Sequence, residues 1–131
     1  NVGDVFKFIE ETDNKGYYGV EKLKITNCTF TGNKGQILGM LRSGRDESTM
    51  GPLLIFSKNN LNNCTTENNR GLINLYGVQR SFIEKNSFTN CNEGKTLIQY
   101  EDMVRSVHFL RKNSLSKSGV LLTNKFVQTE N

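Results

Sequence analysis

Large apolar residues recur along this chain at wide, nearly regular intervals, and the polar residues between them recur in step. Phe30, Leu61, Phe88 and Leu115 form one column with separations of 31, 27 and 27 residues, a period typical of solenoid repeats. Five positions earlier the same register reads Ile25, Phe56, Ile83 and Leu110. Two positions earlier it reads Cys28, Asn59, Asn86 and Asn113, and three positions later Asn33, Cys64, Cys91 and Ser118. Each unit then passes through a polar turn into a second apolar segment: Gln36 to Leu41, Leu72 to Tyr76, Leu97 to Tyr100, and Val120 to Leu122.

These segments are short, alternate apolar with polar residues and favour Ile, Leu, Phe and Val, as half-buried strands do; no stretch keeps a capped helical period. The pattern predicts an all-β fold, a right-handed parallel β-helix (solenoid) of about four to five rungs. Stacked rungs lie about 4.8 Å apart, so equivalent side chains queue into ladders. Phe30, Leu61, Phe88 and Leu115 are expected to point inward. Asn59, Asn86 and Asn113 are expected to form an amide ladder that also bonds backbone at a bend. Cys64 and Cys91 share a column, and parallel stacking favours free buried thiols over a disulfide. Val5 to Ile9 is read as part of a preceding rung, with Glu10 to Gly19 as its outward loop. One rung is longer by four residues, and its surplus, Arg42 to Pro52, is read as a loop on one side of the stack.

Length and composition narrow the picture. The 131 residues, 35% hydrophobic, suit one domain spanning residues 1–131. The repeat runs almost from one end to the other without polar caps, so the chain is expected to be a fragment of a longer solenoid, stacked on upstream β-helix rungs. The net charge of +4, from 17 basic and 13 acidic side chains, is scattered. It permits an acidic polymer as partner, allows a homo-oligomer, and shows no basic block of the kind a nucleic acid would call for. No apolar run reaches the roughly 18 residues of a membrane span. The Asn and Gly bias suits tight corners with left-handed backbone.

Three groups of residues are candidates for chemistry. Arg42 and Arg45 in the inserted loop have the fork geometry to bind substrate carboxylates, and Asp46 with Glu47 offer oxygen ligands for a cation such as Ca²⁺; the alternative is that the four pair with one another and pin the loop. Tyr76, Gln79 and Arg80 combine a ring with amide and guanidinium donors, suited to stacking on and hydrogen-bonding a sugar; the alternative is an ordinary exposed turn. His108, the only histidine, falls within a strand pattern and is read as structural. The adjacent acids Asp46–Glu47 and Glu101–Asp102 would point to opposite faces of a strand, which speaks against a hydrolase pair.

The segments Gly44-Arg45-Asp46-Glu47-Ser48-Thr49-Met50-Gly51-Pro52 and Leu75-Tyr76-Gly77-Val78-Gln79 resemble the polysaccharide lyase family that contains chondroitinase B and the alginate (poly-β-D-mannuronate) lyases. The order of an Asp-Glu-Ser-Thr-x-Gly-Pro stretch, a strand, an Asn-rich bend and a Gly-Val-Gln turn is followed over residues 42 to 91. The resemblance implies a β-helix in a parent protein that cleaves a uronic-acid polymer by β-elimination with Ca²⁺, a Lys base and an assisting Arg. It also implies a secreted, periplasmic or cell-surface location. The family's Asn-Gly-Gly-Glu and Lys-Ser segments have no match here, so no catalytic residue is assigned and no cofactor is expected in this segment. The implied role is a non-catalytic C-terminal β-helix domain that supports fold, substrate or subunit contacts. The alternative is a non-enzymatic binding or structural module, such as a segment of an adhesin or tail fibre.

Overall fold

The computed structural model describes residues 2–9, 22–41, 53–67, 70–76, 78, 80–101, 107–121 and 128–130. The Glu10–Gly19 and Arg42–Pro52 segments, and with them Arg42, Arg45, Asp46 and Glu47, lie outside the described residues, as does Gln79.

Short strands follow one another in a repeating order of three. The first sheet contains β1 (Phe6–Ile9), β4 (Leu38–Leu41), β7 (Ile73–Tyr76) and β10 (Ile98–Glu101). The second contains β2 (Lys22–Thr26), β5 (Leu53–Ser57), β8 (Arg80–Glu84), β11 (Val107–Arg111) and β13 (Gln128–Glu130). The third contains β3 (Thr29–Thr31), β6 (Asn60–Asn62), β9 (Ser87–Thr89) and β12 (Ser114–Ser116). Every pairing is parallel and joins a strand to its counterpart one rung away. The chain is a parallel β-helix of about four rungs, with no helix among the described residues.

The columns read from the sequence are the columns of the stack. Phe30, Leu61, Phe88 and Leu115 are successive Cα partners in the third sheet, and Ile25, Phe56, Ile83 and Leu110 in the second. With Met40, Leu75 and Tyr100 from the first sheet they fill the interior. Leu115 departs from the expectation: it holds its place in the column but is 44% exposed. Among the described residues no strand stacks beyond β12, so the last inward position of that sheet has no cover. Of the fourth second segment, Val120 and Leu121 are described: Val120 forms a bridge with Thr96, and the carbonyls of the two accept from the main-chain N of Leu97 and Ile98.

Two bends per rung turn the chain between the second and third sheets and beyond the third. The first uses Asn27, Lys58, Lys85 and Lys112, the second Gly32, Asn63, Asn90 and Lys117, all with positive φ. Four of the eight are lysines, although a side chain bearing Cβ makes this conformation unfavourable by about 1–2 kcal/mol. What holds the first bend is the column that follows it. Asn59, Asn86 and Asn113 are buried, and each Oδ1 accepts from the main-chain N of its counterpart one rung back, at 2.9, 3.0 and 3.0 Å. Each Nδ2 donates to a carbonyl of that same earlier rung, that of Ile25, Phe56 or Ile83. The expected amide ladder therefore runs mainly through backbone, with one direct amide contact, Asn86 Nδ2 to Asn113 Oδ1 at 3.0 Å.

The second bend is tied in the same way. Cys64 and Cys91 are free, buried thiols. Their sulfurs donate to the carbonyls of Phe30 and Leu61 on the preceding rung, and Ser118 Oγ makes the equivalent bond to Phe88. The adjacent Cys64 thiol, together with burial, pushes the Cys91 pKa up, so Cys91 keeps its proton.

Candidate functional site

In the first sheet β10 alternates buried with more exposed positions, whereas Gly39 of β4 and Asn74 of β7 are themselves buried although the pleat turns them outward. Leu38, Ile73 and Ile98, and then Met40, Leu75 and Tyr100, are buried, so the positions between and after them face outward. Asn74 pairs with Gln99, and Tyr76 with Glu101, across β7 and β10. These four side chains, with Arg70 at the entry to β7, line a cleft of about 160 Å³ on the outer face. It presents a ring, an amide donor and acceptor, a cation and a carboxylate, a set suited to a polyhydroxylated ligand that carries charge.

Asn74 anchors this face. Its Oδ1 accepts from the Gly71 main-chain N at 3.1 Å, and its Nδ2 donates to the Gly71 carbonyl at 2.7 Å and to Gln36 Oε1 at 3.0 Å. Gln36 reaches it by lying over Gly39, where a Cβ would come within 2.5 Å of the Gln36 amide. Gln36, read from sequence as the start of a strand, is instead a buried cover on the outside of the sheet.

Of the predicted sugar-contacting residues, Tyr76 closes β7 and lines the cleft, while Arg80 opens β8, half-buried, in the next sheet. They flank one corner, the one where first-sheet strands hand over to second-sheet strands. In the sequence the Arg42–Pro52 segment falls between β4 and β5, outside the described residues. Arg70, Asn74, Gln99 and Glu101 complete the cleft; the first three were not singled out by the sequence, and Glu101 was weighed only as half of an acid pair with Asp102.

His108 faces the interior. Ser81 Oγ lies 2.7 Å from its Nδ1 and 2.9 Å from Tyr100 Oη, and the imidazole and phenol rings are 4.3 Å apart. A serine, a histidine and a tyrosine so arranged suggest nucleophile chemistry, but all three are buried and no substrate reaches them. His108 Nε2 has no hydrogen-bond partner among the described residues. Burial lowers the His108 pKa to about 4, so the ring is neutral, and burial pushes the Tyr100 hydroxyl well above its ordinary value. The trio is a polar plug in the core.

Among the described residues no group of three or more His, Cys, Asp or Glu side chains is placed to hold a metal ion. Comparison with known proteins adds no relative: no family model, no curated protein and no solved structure matches the chain.

Proposed function

We propose that this chain is a non-catalytic β-helical segment that binds an acidic polysaccharide, as part of a protein that cleaves a uronic-acid polymer by β-elimination. The observation that carries the binding role is the cleft on the first sheet, where Tyr76, Gln99, Glu101 and Arg70 converge. A half-exposed ring next to an amide and a guanidinium gives a sugar both an apolar face and directional hydrogen bonds. The β-elimination context rests on the resemblance carried by residues 42 to 91, and a secreted, periplasmic or cell-surface location goes with it.

Calorimetric titration of the chain with oligosaccharides of alginate and dermatan sulfate, beside size-matched neutral ones, tests the binding role. The acidic ligands are expected to bind and the neutral ones to bind more weakly. Tyr76→Ala should weaken acidic-ligand binding about tenfold, the scale of one aromatic contact. Failure of every acidic oligosaccharide to bind would remove the proposal. Joining the chain to its natural upstream sequence and following unsaturated uronate absorbance tests the lyase context separately.

A further inference from the structure

We infer that the edge where the third sheet turns back into the first holds an anion subsite for the carboxylate or sulfate of an acidic sugar; this rests on the polysaccharide-binding reading. A cavity of about 350 Å³ opens there, lined by Lys34, Gln36, Thr65, Thr66, Glu67 and Arg70 together with Val2, Gly3 and Gly35. Arg70 also lines the Tyr76 cleft, so the two hollows meet at one guanidinium. Lys95 arrives from the following rung, its Nζ donating to the Thr66 carbonyl at 2.6 Å.

Gln36 decides which ligand this cavity favours. Gly71 N donates to Asn74 Oδ1, which leaves Asn74 Nδ2 as the donor toward Gln36. Gln36 must therefore present its oxygen to Asn74, and its orientation is fixed. The group left over is a donor, Nε2, which is buried in a residue 2% exposed and has no partner among the described residues. A buried donor without an acceptor is unfavourable by about 1–3 kcal/mol, and the ligand that relieves it is an acceptor. Lys34 and Arg70 line the same cavity and select an anionic one.

Two carboxylates temper the charge. Glu67 lines the cavity, and Asp4 Oδ1 accepts from the Gln36 main-chain N at 3.2 Å. Next to the cations they provide acceptors for hydroxyl donors, which a sugar has and a bare inorganic anion lacks. The cavity, Arg70 and the cleft follow one another along β7 toward Tyr76. A short oligosaccharide bound there would lie across the stack axis, with its acidic group at Lys34 and Gln36 and a ring at Tyr76.

The test uses an alginate hexasaccharide, titrated by calorimetry and by NMR of the side-chain amides. Gln36→Glu keeps an oxygen for Asn74 and replaces only the unpartnered nitrogen; it should lower affinity at least about tenfold, the worth of one charge-assisted hydrogen bond. A buried carboxylate can disturb folding, so Lys34→Ala, at an exposed position, provides an independent arm and should lower affinity about threefold to tenfold. In the unmodified chain the Gln36 amide signals should shift on titration. If Tyr76→Ala weakens binding while Lys34→Ala and Gln36→Glu bind like the parent and the Gln36 signals stay still, the subsite is overturned and the polysaccharide reading stands. If the parent chain binds no acidic oligosaccharide, both fall.

Discussion

Acidifying this protein should expose the neutral histidine in its core. His108 has an ordinary pKa of 6.5 in the unfolded chain and about 4 in the fold, where burial penalises the charged ring. Between those values the unfolded chain takes up a proton that the folded chain refuses, so stability is fully present above pH 6.5 and is lost as pH falls toward 4. The loss integrates to about 3 kcal/mol, at about 1.4 kcal/mol per pH unit where it is steepest. That is a large share of the roughly 5–15 kcal/mol that holds a typical domain together. Among the described residues Ser81, at Nδ1, is the hydrogen-bond partner of the ring and Nε2 has none, so a proton added there would meet no acceptor among them. Urea unfolding of the parent chain and of His108→Gln, run at matched pH steps from 7.5 to 4, isolates the effect, because the carboxylates titrate in both. The stability difference between the two should move by about 3 kcal/mol in favour of the variant over that interval. NMR titration of the one imidazole gives the folded value directly. Parallel unfolding profiles, or an imidazole that titrates near 6.5, would refute the reasoning.

Two further outcomes follow from the ladders. Asn86→Leu strands the Asn59 main-chain N and the Phe56 carbonyl, both bonded to the Asn86 side chain, and should destabilise the fold by about 3–5 kcal/mol in chemical denaturation; a loss under about 1 kcal/mol would mean the ladder is decorative. Cys28 is exposed while Cys64 and Cys91 are buried, so a thiol reagent should count one sulfhydryl in the native protein and three in urea, and a native count of three would contradict the buried column.

How much of this was visible in the sequence depends on where loop length stays constant. From the second sheet through both bends the spacing is uniform from rung to rung, so Ile25, Phe56, Ile83 and Leu110, and the asparagine column after them, align on inspection. Past the second bend the connection to the first sheet varies. Five residues separate Asn33 from Leu38, nine separate Cys64 from Ile73, and seven separate Cys91 from Ile98. Lys34, Gln36, Arg70 and Gln99 sit in or just after these unequal turns, which is why no column reading brings them together. The Gln36–Asn74 bond needs the register of β4 on β7, and that pairing is fixed by packing rather than by spacing. Tyr76 was legible because it ends an apolar run. Tyr100 was not read as a neighbour of His108 because it belongs to the first sheet and meets the second only across the interior, whereas Ser81 lies one rung before His108 in the second sheet, 27 residues earlier, in a column that was there to be read.

The asparagine ladder has a direction. Each side chain serves the coil before it, and that coil offers nothing equivalent in return. Cys28 can stand where its successors carry an amide, because among the described strands no earlier coil in that sheet awaits one. Shortening the protein from its far end would therefore leave an unmet main-chain donor on the coil that remains, whereas shortening it from the near end would free only an asparagine side chain, which can turn to water.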